Sequence, residues 1–317
     1  MFAQFRNQGL QSLILFAALV AFSLFTACDN GNSGAKVSDS PVSGELRIMV
    51  DEGFQPIISS AVDVFDSVYR LAKIHPTFTA EGVAVKALMD DSIQFIIIPR
   101  QLSAAELGYF KNRGYEPETT PIAHDAIAFI LNPANNDTII SVEQLKGIFN
   151  GSVANWSEIS GKSSLGKIQI VFDNPASSIV RYVRDSISGA ALPPNAAALQ
   201  NNAQVLDYVA KNKNAIGIIA ANWISDTDDK GAQHFRSEIR IVDVLSPLYK
   251  KPRGPYQAYL QLNQYPYRRT MYCINGQPKR GVGLGFASFL AGRDGQLIIL
   301  KDGMLPASMP PRIISVQ

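Results

Sequence analysis

The chain has 317 residues, of which 46% are hydrophobic and 18% charged, a composition that fits a globular protein with a large core and excludes a disordered or wholly membrane-embedded chain. Lys and Arg number 29 against 27 Asp and Glu, and the resulting formal charge of +2 gives no ground for a nucleic-acid partner. Cys28, Cys273, His75, His124 and His234 lie far apart in no metal-ligand spacing, so the reading needs no metal or cofactor, and chemistry is left to carboxylates, hydroxyls, arginines and backbone amides.

Residues 1–27 carry one charged side chain, Arg6, then an apolar run from Leu13 to Phe22 and the small residues Thr26 and Ala27. These are the parts of a secretory signal peptide. A membrane anchor is the competing reading, but Leu13 to Phe22 is about half of the roughly 20 residues needed to cross a bilayer. The segment before Cys28 resembles a bacterial lipobox, with Phe25 where that pattern prefers Leu. The resemblance implies cleavage before Cys28, acylation of its thiol, and lipid anchoring of the mature chain to a bacterial envelope membrane, facing the periplasm. Residues 28–44, rich in Gly, Ser, Asn and Asp, read as a flexible tether.

From Glu45 onward, short apolar runs alternate with amphipathic stretches, the pattern of an α/β fold with a largely parallel sheet. Leu46 to Val50 reads as a strand, followed by a helix with Ile57, Ile58, Ala61, Val62, Phe65 and Val68 on one face. Ala84, Ala87 and Leu88 suggest a second helix before a strand from Ile93 to Ile98. Ser103 with Glu106, and Ser141 with Gln144, match capping boxes. Ala126 to Leu131, Ile168 to Phe172 and Ile216 to Ala220 read as strands, with helix faces at Val180, Val183, Ile187 and at Val205, Leu206, Val209 between the last two. Ser160 to Gly166 and Ser225 to Gln233 read as surface loops. Gly281 to Leu290 and Gly295 to Lys301 read as helices, ended by Gly303 and Pro306.

An ordered set of stretches resembles the phosphate-binding proteins of bacterial phosphate ABC importers, within the type 2 periplasmic binding proteins. They are Pro121 to Ala128 with Asn132-Pro133; Glu143 to Gly151 with Asn155-Trp156; Ala215-Ile216-Gly217; Tyr265 to Arg269; and Phe286 to Leu290 with Gly295-Gln296. The resemblance implies two α/β lobes with a ligand cleft between them: residues 45–122 and 236–317 in lobe one, 123–235 in lobe two, with hinges near Ala123 and residues 236–240. It also implies a monomeric lipoprotein that binds phosphate or a related oxyanion and presents it to an ABC permease, without catalysis and with no membrane contact beyond its lipid.

Four loops carry the site over by position. Asp51-Glu52-Gly53-Phe54 follows the first strand, and Thr79-Ala80-Glu81-Gly82 keeps one clear family glycine. Pro99 stands in the loop where the family has a proton-accepting carboxylate, while the adjacent Arg100 offers a cation. In Asp173 to Ile179, Ser177 matches a helix-start serine and Asp173 stands where the family has arginine. The ligand residues implied are therefore Glu52, Gly53, Phe54, Arg100, Ser177, Ser178 and Arg181, the two serines serving equally well as helix caps. Glu52 and Asp173 oppose an anion unless protonated or paired.

The remaining singled-out residues read as structural. Trp156 and Trp223 suit packing, and the pairs Arg268-Arg269 and Lys250-Lys251 suit solvated surface. His124 and Asp125, adjacent on a strand, point to opposite faces. Two other functions stay open: a binding fold repurposed for envelope sensing or attachment, and an envelope hydrolase using Ser177 or Ser178, for which no histidine motif supplies a base.

Overall fold

In the computed structural model, residues 39–277 and 280–308 are described; the signal segment and Cys28 lie outside them. Strand β1 (Ser43–Asp51) is followed by a 3-10 turn at Glu52–Phe54 and helix α1 (Gln55–Val68). Next come β2 (Leu71–Thr79), α2 (Glu81–Met89), β3 (Phe95–Ile98), α3 (Ala104–Asn112) and the long β4 (Glu118–Leu131). Then follow β5 (Ile139–Ser141), α4 (Val142–Asn150), β6 (Gln169–Phe172) and α5 (Ser178–Tyr182), which continues as a π-helical turn through Ser188. The middle of the chain closes with β7 (Ala196–Ala198), α6 (Asn202–Lys211), β8 (Ala215–Ala220) and α7 (Lys230–Glu238). Last come β9 (Arg240–Ile241), β10 (Asp243–Leu245), β11 (Arg268–Asn275), α8 (Gly281–Ala291), α9 (Arg293–Lys301) and β12 (Leu305–Pro306).

The main sheet runs β2-β1-β3-β11-β4-β8-β6-β7, with β9 and β12 also on β4. Strand β4 belongs to both lobes. Its first part pairs antiparallel with β11 from Glu118 to Ala126, and its end pairs with β8 from Ile127 to Leu131. Two cores follow. One gathers Ile48, Val50, Phe54, Phe65, Met271 and Phe286; the other gathers Ile127, Phe129, Trp156, Ile170, Val205 and Ile218. Strand β3 is buried on both faces: Phe95 and Ile97 join the first core, while Ile96 and Ile98 pack with Leu88 and Phe110 on the opposite side.

Local signals formed what they encode. Both capping boxes close reciprocally, Ser103 with Glu106 and Ser141 with Gln144. Gly217 fits because a Cβ there would meet Val209 at 2.7 Å and Ile130 at 2.8 Å, so its absence lets α6 lie close on the sheet. Besides several strands of two or three residues, two long strands went unread from sequence. β2 is an edge strand with alternating burial and an internal Pro76, tolerable only because one edge needs no partner. β11 opens on two arginines that mask its alternation. The loop expected across Ser225 to Gln233 contains the start of α7, where the Asp229 side chain accepts the Ala232 amide at 2.8 Å.

Candidate functional site

The end of β1 meets the second lobe where β4 changes partners. Asp51 turns the chain by accepting the Gly53 amide at 3.1 Å, which commits that amide to the protein itself. Gly53 has no room for a side chain: a Cβ would lie 2.9 Å from Asp51 Oδ1 and 3.2 Å from both Ala220 Cβ and Arg269 Nη2. From the second lobe, Ser178 Oγ donates to Asp51 Oδ1 at 3.0 Å and accepts from Arg269 Nη1 at 2.8 Å. Arg269 also donates from Nε and Nη2 to Asp125 Oδ2 at 3.0 and 2.8 Å. The two residues stand opposite each other in the β4–β11 register, 5% and 1% exposed. Phe54 is fully buried with its ring 5.0 Å from the Arg269 guanidinium, where its face favours the cation.

Two further contacts bind this loop to the second lobe. Glu52 accepts the Asn202 amide at 3.2 and 3.3 Å and its side-chain Nδ2 as well, while Asn202 Oδ1 accepts from the Ala220 amide at 3.1 Å. Asn222 Nδ2 donates to the Gly53 carbonyl.

Beside it stands a second charged cluster. Glu81, 3% exposed, opens α2 and accepts Arg181 Nε and Nη2, both at 2.9 Å, and Arg100 Nε at 2.7 Å. Arg100 also makes two bonds to Glu106, of 2.7 and 2.9 Å, and one to the Gln101 carbonyl. The two arginines expected from sequence to meet a ligand are therefore held by the protein's own carboxylates. Ser177 caps α5 by accepting the Val180 amide at 3.3 Å and donates to Asp173 Oδ1 at 2.6 Å.

A cavity of about 210 Å³ opens between these groups, lined by Asp51, Glu52, Phe78, Thr79, Ala80, Asp173, Asn174, Ser177 and Gln200. Its walls are acidic. Burial pushes the Asp51 carboxyl up to about 7, against the pull of Arg269 and with further push from Asp173 and Glu81. Burial likewise raises Glu52 to about 7 despite its Asn202 bonds. Burial also raises Asp173 and Asp125 above the ordinary range. Burial works against the charge on Arg269, but Asp125 and Asp51 outweigh it and hold the guanidinium protonated. Asp51 Oδ2 is buried with no hydrogen-bond partner among the described residues.

The fold thus brings Glu52, Gly53, Phe54, Ser177, Ser178, Arg100 and Arg181 into one region, Phe54 as a buried support. Arg269 corrects the surface reading of the Arg268-Arg269 pair: it is the buried cation of the site. The signal was alternation, since Arg269, Met271 and Cys273 share the buried face of β11. Glu81, Asn202 and Asn222 were not singled out, because nothing local distinguishes a carboxylate or amide that turns inward. His124 bonds Thr270 at 3.0 Å and Arg268 at 3.2 Å, and neither Ser177 nor Ser178 bonds an imidazole. Trp156 is fully buried and donates to the Asn214 carbonyl, and Trp223 packs on Phe235 with centroids 6.4 Å apart.

Two α/β lobes on a shared strand, with polar and charged loops meeting between them, define a two-lobed binding-protein fold of the type 2 class. A PBP superfamily domain matches residues 35–294, and the chain belongs to that superfamily. Among curated relatives, the phosphate-binding protein PstS of Borreliella burgdorferi is 21% identical over 93% of this chain and 99% of its own. PstS of Bacillus subtilis is 25% identical over 93% and 94%. A Clostridium perfringens structure assigned as a phosphate ABC transporter substrate-binding protein, with phosphate bound, superposes with a TM-score of 0.71 at 19% identity, over 84% of this chain and all of that one. Among the described residues no helix is long and apolar enough to cross a membrane.

Proposed function

We propose that this chain is the substrate-binding component of a bacterial ABC importer, taking phosphate or a closely related oxyanion into the cleft and handing it to a permease without making or breaking bonds. The observation that carries the reading is likeness along the whole chain: relatives named phosphate-binding proteins align over more than nine-tenths of this chain and of their own length. The cavity chemistry fits an oxyanion that still carries protons. Phosphate at neutral pH keeps an O–H donor, for which the carboxylates of the cavity wall are acceptors, while Thr79 and Asn174 offer donors in return. Of the residues named from sequence, Glu52, Gly53, Ser177, Ser178 and Arg181 belong in this proposal at or beside the cavity, Phe54 behind it, and Arg100 at its edge.

The division into two lobes belongs to the same proposal, with β4 as one crossing, while the expected boundary between residues 235 and 236 is moved in it. The packing of Ile239, Val244, Leu260 and Tyr267 in the second core supports a return crossing nearer Tyr267 than residues 236–240. The lipid anchor at Cys28 and the envelope location are also proposed, supported by the signal-like segment.

Calorimetric titration of the mature domain with phosphate and with sulfate tests the reading. Saturable phosphate binding that exceeds sulfate binding is expected; no heat with either oxyanion overturns it. The acidic lining of the cavity favours a second reading, a binding fold kept for sensing or attachment at the envelope, and that becomes the better account if neither oxyanion binds.

A further inference from the structure

The Glu81 carboxylate receives what a bound oxyanion would receive. Three charge-assisted hydrogen bonds of 2.7 to 2.9 Å reach it from two guanidinium groups, and its side chain is 4% exposed. The bonds span the molecule: Glu81 and Arg100 follow strands β2 and β3 of the first lobe, whereas Arg181 sits in α5 of the second. Thr79 and Ala80, immediately before Glu81, line the cleft cavity, and the Glu81 charge is near enough to act on Asp51 in the same wall. The two arginines differ in what they have left without Glu81. Arg100 keeps both bonds to Glu106; the Arg181 guanidinium has no other hydrogen-bond partner among the described residues.

We propose that Glu81 is a tethered anion that competes with an oxyanion ligand for Arg181, so that ligand binding in the cleft exchanges one anion for the other and Glu81 sets how tightly an oxyanion is held. The proposal rests on the oxyanion-binding reading of the same cleft. A carboxylate attached to the chain reaches its partner at a high effective concentration, and it holds the lobes together before any ligand arrives. An incoming anion then gains only the difference between its own bonds to Arg181 and those of Glu81.

The test is titration of inorganic phosphate into the mature protein, its Glu81→Gln and Glu81→Ala variants, and the double variant Glu81→Gln/Arg181→Met. Glu81→Gln keeps the size of the side chain and one of its two acceptor oxygens, and carries the test if Glu81→Ala does not fold, as judged by circular dichroism. Removing the charge is expected to tighten phosphate binding about tenfold or more, and the gain is expected to vanish in the double variant. Phosphate affinity in Glu81→Gln equal to or below that of the parent overturns the proposal, as does a gain that survives loss of Arg181. The underlying reading fails separately: a parent blind to phosphate that acquires binding in Glu81→Gln supports the tethered anion and counts against the importer role. Tight phosphate binding in the parent, unmoved by Glu81→Gln, does the reverse.

Discussion

Asp125 on β4 and Arg269 on β11 face each other in register at the point where β4 leaves the first lobe for the second, joined by two hydrogen bonds of 3.0 and 2.8 Å. This buried pair anchors the cleft. From it, Arg269 reaches Ser178 on one side and lies over Phe54 on the other, so the second-lobe helix and the first-lobe loop share one cation.

Removing half of that pair leaves a buried charge without its partner. Arg269→Met is expected to cost about 3 to 5 kcal/mol of unfolding free energy, measured by urea denaturation. The double variant Asp125→Asn/Arg269→Met should cost clearly less than the two single losses added together, because neither charge then remains uncompensated. Additive losses would mean that the two residues are not coupled.

Stability should depend on pH with an unusual sign. Asp51 and Glu52 move from ordinary values of 3.8 and 4.5 to about 7 in the folded protein, so the folded state binds more protons between about pH 4 and 7. Their contribution therefore favours folding at low pH, declines as pH rises through that window and levels off above about 7. Glu106, whose carboxyl is lowered despite burial by its bonds to Arg100, acts oppositely, and only as pH falls below its ordinary value of 4.5. Asp51→Asn should accordingly raise Tm clearly more at pH 8 than at pH 5, because most of the proton difference accumulates between those two values. An equal shift at both pH values contradicts the raised Asp51 carboxyl.

Asp173 lines the cavity, 3% exposed, with one oxygen held by Ser177 at 2.6 Å. Asp173→Asn keeps an acceptor for that hydroxyl and removes a negative charge facing any incoming anion. Phosphate binding is expected to tighten about tenfold, the equivalent of roughly 1.4 kcal/mol, in a calorimetric titration near pH 8. Unchanged affinity would put the oxyanion elsewhere.

Cys28→Ser should leave the precursor uncleaved and without acyl chains, because the thiol is the proposed attachment point. Intact-mass spectrometry of protein purified from a lipoprotein-producing bacterium reads this directly. An acylated N-terminus in the variant rules out Cys28 as the modified residue.

Elements written in neighbouring residues were legible before any fold was known. The runs read as strands at Ile93 to Ile98 and Ile216 to Ala220 hold the buried strands β3 and β8 to within two residues at their starts, and Ser103 and Ser141 cap the helices their sequences announce, since each signal acts within a few residues of itself. Ser177 was visible as a helix start for the same reason. Which charges are buried, and against what, was decided only in three dimensions. Arg181 finds Glu81 across 100 residues and Arg269 finds Asp125 across 144, distances over which no periodicity carries information. An isolated Glu or Arg in sequence reads as solvated because burying one charge alone is prohibitive; only the meeting of the two lobes supplies the partner that makes burial possible, and with it turns the expected anion-binding arginines toward the protein's own carboxylate.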